Sequence, residues 1–136
     1  MGLTVLDAGI VIDVLDGDDA HHDAARAALT ALLERGDRLA LPASAYAEVM
    51  VGPSRKGGDA SATVDAFVDA LPAHVEPATR EIARSASALR ARHGRSLRLP
   101  DALVIATAHA LGADVVLTTD SGWPDTGVVV DVVGRP

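Results

Sequence analysis

Short apolar runs alternate with longer stretches of helical period along this chain. Leu3 to Asp7 is an apolar run that closes on an acid and reads as a buried strand. Gly9 to Leu15 is apolar enough for a short helix. Asp18-Asp19 offers an N-cap for a helix over Ala20 to Arg35, whose Ala25, Ala28, Leu29, Leu32 and Leu33 recur at helical spacing until Gly36 stops it. Arg38 to Leu41 predicts a second strand, and Ser44 to Val51 a short helix broken by Gly52-Pro53. The polar, glycine-containing stretch Pro53 to Asp59 reads as a loop. Ala60 to Leu71 is helical, His74 to Glu76 a short strand, and Thr79 to His93 a helix ended by Gly94. Pro100 to Leu111 is the most apolar helix, which predicts a central position. Val115 to Thr118 and Val128 to Val133 are the last two strands.

Strands separated by helices imply parallel pairing. The expected fold is a three-layer α/β/α sandwich around a mostly parallel sheet of four to five strands. The aliphatic runs Val115-Val116-Leu117 and Val128-Val129-Val130 suit strands covered on both faces. No repeat, long linker or low-complexity tail divides the sequence, so residues 1–136 are expected to form a single domain.

Composition changes the picture in three ways. With 136 residues, 49% of them hydrophobic, the chain can bury a core without staples. With no cysteine, disulfides and thiolate-bound zinc are excluded, in keeping with a cytoplasmic protein. The start of the chain lacks the basic and apolar blocks of a signal peptide, and no uncharged apolar run approaches membrane-spanning length. The net charge of -7 argues against a protein that grips nucleic acid with a basic face. Eleven of the 12 basic residues are Arg, which reflects coding composition before any choice of phosphate ligand.

Four acids occupy positions where chemistry gathers. In an open parallel sheet, ligands bind beyond the carboxyl ends of the strands. Asp7 closes the first strand and Asp120 follows the fourth. Asp101 sits beside Pro100 in the first turn of the apolar helix, where an acid is favoured in any case. Glu48 lies in the short helix after the second strand, among largely apolar neighbours. If these side chains converge, their repulsion resists full ionisation, and a divalent cation removes the conflict. Oxygen-only ligation suits Mg²⁺ or Mn²⁺. Such ions activate water and steady the leaving oxygen of a phosphodiester. With 19 acids in the chain, spacing alone also permits simple helix caps and solvated charges.

Taken together, four segments resemble a known family. Val5-Leu6-Asp7-Ala8-Gly9-Ile10-Val11-Ile12 is similar to the opening strand of PIN domains. Ser44-Ala45-Tyr46-Ala47-Glu48-Val49 resembles their second motif. Leu99-Pro100-Asp101-Ala102-Leu103-Val104-Ile105-Ala106-Thr107-Ala108 resembles the third, and Leu117-Thr118-Thr119-Asp120 the fourth. Order, spacing and length all fit, with the VapC-type toxins of bacterial toxin–antitoxin pairs as the nearest group. The resemblance implies a ribonuclease dependent on Mg²⁺ or Mn²⁺, a cognate antitoxin that blocks the site, and a homodimer. It implies direct metal ligation by Asp7 and Asp101, with Asp120 and Glu48 ligating directly or through water. The sequence departs from the family pattern at Ala8, where Ser or Thr is common, and at Gly122, where a second Asp is common. Trp123 then stands where an aromatic residue packs, and Asp125 is a weak substitute for the missing acid.

The remaining candidates carry less. Arg90, Arg92, Arg95 and Arg98 cluster ahead of Pro100. Arg95 and Arg98 are the candidates for phosphate contact, against the ordinary preference of helix ends for cations. His21-His22 reads as solvated surface, and Asp13 and Asp16 as surface charges or local partners. Tyr46, Val49 and Met50 are candidates for an antitoxin groove or for core. A phosphoryl receiver would need a Lys after the fifth strand, whereas Lys56 is the sole Lys. A haloacid-dehalogenase-like phosphatase would need an acid where Gly9 stands. A PIN-like module that binds metal or a partner without cleaving, and a nuclease directed at DNA, both remain open.

Overall fold

The computed structural model describes residues 2–134. Its elements run β1 (Leu3–Leu6), α1 (Ala8–Leu15), α2 (His22–Glu34), β2 (Arg38–Pro42), α3 (Ala43–Lys56), α4 (Ala60–Ala70), β3 (Ala73–Glu76), α5 (Arg80–His93), a 3-10 turn (Gly94–Ser96), α6 (Leu99–Leu111), β4 (Val115–Thr118) and β5 (Val130–Val132). The five strands form one sheet in the order β3-β2-β1-β4-β5, and every adjacent pair is parallel. The sheet is therefore wholly parallel, and the six helices supply the outer layers of an α/β/α sandwich.

This order fixes where a site belongs. The chain steps outward from β1 to β2 to β3, then crosses back to lay β4 on the other flank of β1. The reversal lies between β1 and β4, and the crevice beyond their carboxyl ends is the switch point of a doubly wound sheet. Val5 and Leu6 of β1 and Val116 of β4 are fully buried there. One hydrophobic cluster joins β1, β2 and β4 to α1, α2, α3 and α4, with Val104 and Ala108 of α6. A second joins Ile82 and Ala86 of α5 to Leu97 and to Ala102, Ile105 and Ala106 of α6. Helix α6 contributes to both, as its continuous apolar sequence predicts.

Three expectations need correction. Pro53 to Asp59 is not all loop, because α3 continues through Gly52-Pro53 to Lys56. A residue before proline is normally driven out of the helical region, partly by its own Cβ. Gly52 has no Cβ, and the helix passes. The second is the start of α2. Asp19 does not cap it; its Oδ1 instead accepts from the His21 backbone N–H at 2.7 Å, turning the chain, and α2 begins at His22. The third is β5, which is shorter than Val128 to Val133 and lies on the sheet edge. A short edge strand limits unwanted pairing with other chains.

Candidate metal centre at the β1–β4 switch point

Asp7 is the first residue beyond β1. Its backbone N–H donates to Leu117 O at 2.9 Å, extending the β1–β4 ladder by one step. Its side chain then does two jobs. Oδ1 accepts from the Ala8 N–H at 2.8 Å, capping α1, and Oδ2 accepts from the Thr118 hydroxyl at 2.7 Å. Both bonds steady the ionised form, yet burial outweighs them and pushes the carboxyl above its ordinary range, with help from Asp120.

Asp120 is held by the same strand end. Its N–H donates to Thr118 Oγ1 at 3.0 Å, and its Oδ1 accepts from the Gly122 N–H at 2.7 Å. Thr118 is fully buried. One hydroxyl thus links the two acids that flank the switch point. Gly122, where the family commonly has an acid, supplies a backbone donor. A Cβ at this position would stand 3.3 Å from Asp120 Oδ1. Gly9 is tight as well, since a Cβ there would approach Thr119 Oγ1 to 2.7 Å.

Asp101 lies in the first turn of α6, with a side chain only 13% exposed. Burial raises its carboxyl first, Asp7 second, and Asp120 adds to both. Arg98 opposes them, its Nε lying 3.6 Å from Asp101 Oδ2. Glu48 stands on α3 and is more open to solvent, but desolvation, Asp7 and Asp101 all push its carboxyl up as well. Electrostatically, then, Asp7 raises Asp101, both raise Glu48, Asp120 adds to Asp7 and Asp101, and Arg98 is the counterweight to Asp7, Glu48 and Asp101. Arg95 is exposed on the 3-10 turn and, among the described residues, forms no ion pair with these acids.

A donor set of carboxylates with no sulfur or imidazole fits a hard divalent cation such as Mg²⁺ or Mn²⁺. The mutual repulsion fits one too, because a cation turns the raised carboxyls into ligands. The fit is one of chemistry more than of close approach. Among the described residues, the group whose three ligand atoms all lie within 4.8 Å of one another is Asp13, Asp19 and His21.

The sequence read His21 as solvated surface and Asp13 as a surface charge or local partner, and it did not join them to Asp19 as one group. Asp13 is only 7% exposed, at the last turn of α1, and burial followed by Asp19 raises its carboxyl. The folding-back of the Asp16–His21 turn brings the three together, and no helical or strand period marks such a turn. Thr118 was missed for another reason. A threonine ending a strand reads as ordinary β preference, and only the fold reveals that its hydroxyl faces Asp7. Trp123 packs against both hydrophobic clusters, as an aromatic residue there should. Val49 is buried, Tyr46 is partly buried against the first cluster, and the Tyr46 hydroxyl donates to Asp65.

The chain matches the model of the PIN domain over residues 4–129. A comparison with curated protein sequences gives no match. Solved structures share the fold at low identity. Mycobacterium tuberculosis VapC20, described as a toxin that cleaves the sarcin–ricin loop, is 18% identical, with TM-score 0.68 and 91% of each chain covered. A toxin–antitoxin complex from Klebsiella pneumoniae is 22% identical, with TM-score 0.69, covering 93% of this chain and 99% of the other. FitAcB from Neisseria gonorrhoeae is 20% identical, with TM-score 0.73, covering 93% and 95%. With a family match across nearly its whole length, over the same wholly parallel sheet, this chain belongs to the PIN-domain family.

Proposed function

We propose that this protein is an endoribonuclease dependent on a divalent metal, acting as the toxin of a toxin–antitoxin pair. What supports this reading most is the gathering of Asp7, Glu48, Asp101 and Asp120 at the β1–β4 crevice, where, among the described residues, Arg98 is the basic group that offsets Asp7, Glu48 and Asp101. Asp7 and Asp101 would hold Mg²⁺ or Mn²⁺, with Asp120 and Glu48 ligating directly or through water. The metal supplies activation of water and neutralises charge on the phosphodiester.

The chain's own residues set up that site. Thr118 and the Ala8 N–H fix the Asp7 carboxylate, and the Gly122 N–H fixes Asp120. Arg98 stands beside Asp101 at the mouth, where a guanidinium pairs with phosphate; Arg95 would add a more distant contact. This local cation, together with the metal, answers the objection raised by the net charge of -7.

An antitoxin as partner is supported by the fold shared with a toxin–antitoxin complex from Klebsiella pneumoniae and with a DNA-bound VapBC from Salmonella typhimurium. A homodimer and a cytoplasmic location belong to the same reading. No helix among the described residues is long and apolar enough to cross a membrane.

A second reading, a non-catalytic PIN module, is favoured by one observation: the four acids do not bring three ligand atoms within 4.8 Å of one another. RNA cleavage with Mn²⁺ and with EDTA separates the two. The ribonuclease reading expects fragments with Mn²⁺ and none with EDTA, whereas intact RNA in both supports the module.

A further inference from the structure

The charge of the chain is unevenly spread. Six of its eleven Arg fall between Pro77 and Pro100, namely Arg80, Arg84, Arg90, Arg92, Arg95 and Arg98, and Glu81 is the one acid among them. Six cations against one acid give this segment, α5 and the turn after it, a charge of +5 with His counted neutral. The rest of the chain, whose total is -7, therefore carries -12. All six side chains are exposed, and among the described residues Arg98 is the one of the six in an ion pair.

Two ordinary causes fall short of this pattern. Coding composition raises the share of Arg but neither gathers it nor clears acids from around it. The helix dipole favours Arg90 and Arg92 in the last turn of α5, yet it opposes Arg80 in the first turn and does little for Arg84 in the middle. A hollow of about 430 Å³ adjoins the same residues. Ser85, Ala88, Leu89 and Arg92 line it as one stripe of α5, and His109 of α6 and Thr126 of the β4–β5 loop complete it. No carboxylate lines this hollow, whereas the cavities at Asp120 and at Glu48 have two each.

These features favour a polyanion, and RNA above an acidic protein. The basic segment ends on Arg98, which meets Asp101 at the crevice, so it is continuous with the place where a phosphodiester would be cut. The surrounding negative charge keeps a phosphate chain off the rest of the surface. The 14 residues of α5 span about 21 Å, room for several nucleotides. Exposed guanidiniums hold phosphate oxygens whatever the base, so the contact is to the backbone.

We propose that α5 and the hollow between α5 and α6 form a track for the RNA backbone, which holds the strand on one side of the phosphodiester at the acidic crevice. The track rests on the ribonuclease reading and adds what that site grips beyond the bond it cuts: several nucleotides of backbone, independent of sequence.

Arg84→Glu and Arg92→Glu reverse two of these charges, and Arg26→Glu on α2 makes the same change in net charge outside the α5–α6 cluster. Each is placed in an Asp7→Asn chain, which keeps RNA whole, and titrated with a labelled RNA of about twelve nucleotides at several salt concentrations. Arg84→Glu and Arg92→Glu should each weaken binding by about tenfold or more and lower the salt slope by about one unit, with Arg26→Glu within about twofold of its parent. In the cleaving chain, the α5 substitutions should raise KM with little change in kcat, and the rise should shrink as the RNA is shortened. Weakening no greater than that by Arg26→Glu would overturn the track. Displacement of the RNA by poly-glutamate of equal charge would overturn it too, and would assign the face to an acidic protein. Failure of the track is separable from failure of the ribonuclease reading. Cleavage with the α5 variants no different from Arg26→Glu rejects the track alone, and selective loss of RNA binding in a chain that cleaves nothing upholds the track while rejecting the nuclease.

Discussion

The Thr118 hydroxyl donates to Asp7 Oδ2 at 2.7 Å and accepts from the Asp120 N–H at 3.0 Å, so one buried side chain sets the spacing of two acids from different strands. Asp7 follows β1 and Asp120 follows β4, which are neighbours in space and more than a hundred residues apart in sequence. The arrangement depends on the sheet order, since β4 returns to the flank of β1 only after the chain has built β2 and β3.

Thr118→Val keeps the shape and removes both bonds. A buried hydrogen bond to a charged group contributes about 1.5–3 kcal/mol, and the Asp120 N–H loses its partner as well. A loss of stability in that range is expected in denaturant melts. Mn²⁺ affinity should fall by about 10–100-fold, as for other groups that orient a metal's ligands. Calorimetric titration of Mn²⁺ into the folded variant checks this; unchanged affinity would show that Thr118 serves the fold alone.

The raised carboxyls make stability depend on pH, with a definite sign. Burial lifts Asp7 above its ordinary range, and burial with neighbouring acids lifts Asp101 and Glu48. A carboxyl raised in the folded state binds its proton more tightly there than in the unfolded chain. Metal-free stability therefore falls as pH rises from the ordinary carboxylate range through the raised folded values. Asp7→Asn should melt higher than the unsubstituted chain at neutral pH in EDTA, and the gap should close in acid. Adding Mn²⁺ should reverse the order. Melting curves across pH, with and without the metal, provide the check.

Gly122→Ala tests the departure from the family pattern. Gly122 does not adopt a positive φ, so alanine meets no backbone penalty. Its Cβ would press on Asp120 Oδ1 from 3.3 Å, closer than ordinary contact, and the carboxylate must shift. Stability should change by no more than about 0.5 kcal/mol, as at most surface positions. Cleavage should drop several-fold through a weaker response to Mn²⁺. A variant with the same Mn²⁺ dependence as the unsubstituted chain would mean that the Asp120 position has no bearing on metal binding.

Much of this arrangement was readable from the chain alone, for reasons that also explain the misses. The strands and the central helix declared themselves because their burial writes an apolar run or period into the sequence, as in Val115-Val116-Leu117 and in α6. Asp7, Asp101 and Asp120 drew notice because each terminates or starts such an element. Glu48 ends no such element, and its choice depended more on the resemblance. The continuation of α3 past Pro53 was hidden because the exception depends on what Gly52 lacks. The Asp13, Asp19 and His21 group is closed by the turn after α1, where residues meet through the path of the backbone and not through any period.

Arg98 offers a test of the approach to the site. Its side chain is 75% exposed, and surface ion pairs contribute about 0–1 kcal/mol, so Arg98→Ala should barely alter stability. RNA affinity should decline, with the salt dependence of binding reduced by about one unit of slope, as for loss of one phosphate contact. Arg95→Ala should show a smaller decline, because Arg95, among the described residues, forms no ion pair with the acids. Filter binding of RNA at several salt concentrations separates the two.

Whether a metal held by the switch-point acids cleaves RNA is read from cleavage by Asp7→Asn and Asp101→Asn beside the unsubstituted chain, each with Mn²⁺ and with EDTA. The unsubstituted chain should cleave only when Mn²⁺ is present, and each substitution should lower cleavage by about 100-fold or more while the protein stays folded. Cleavage that persists in EDTA, or that survives both substitutions, would contradict that role of the metal.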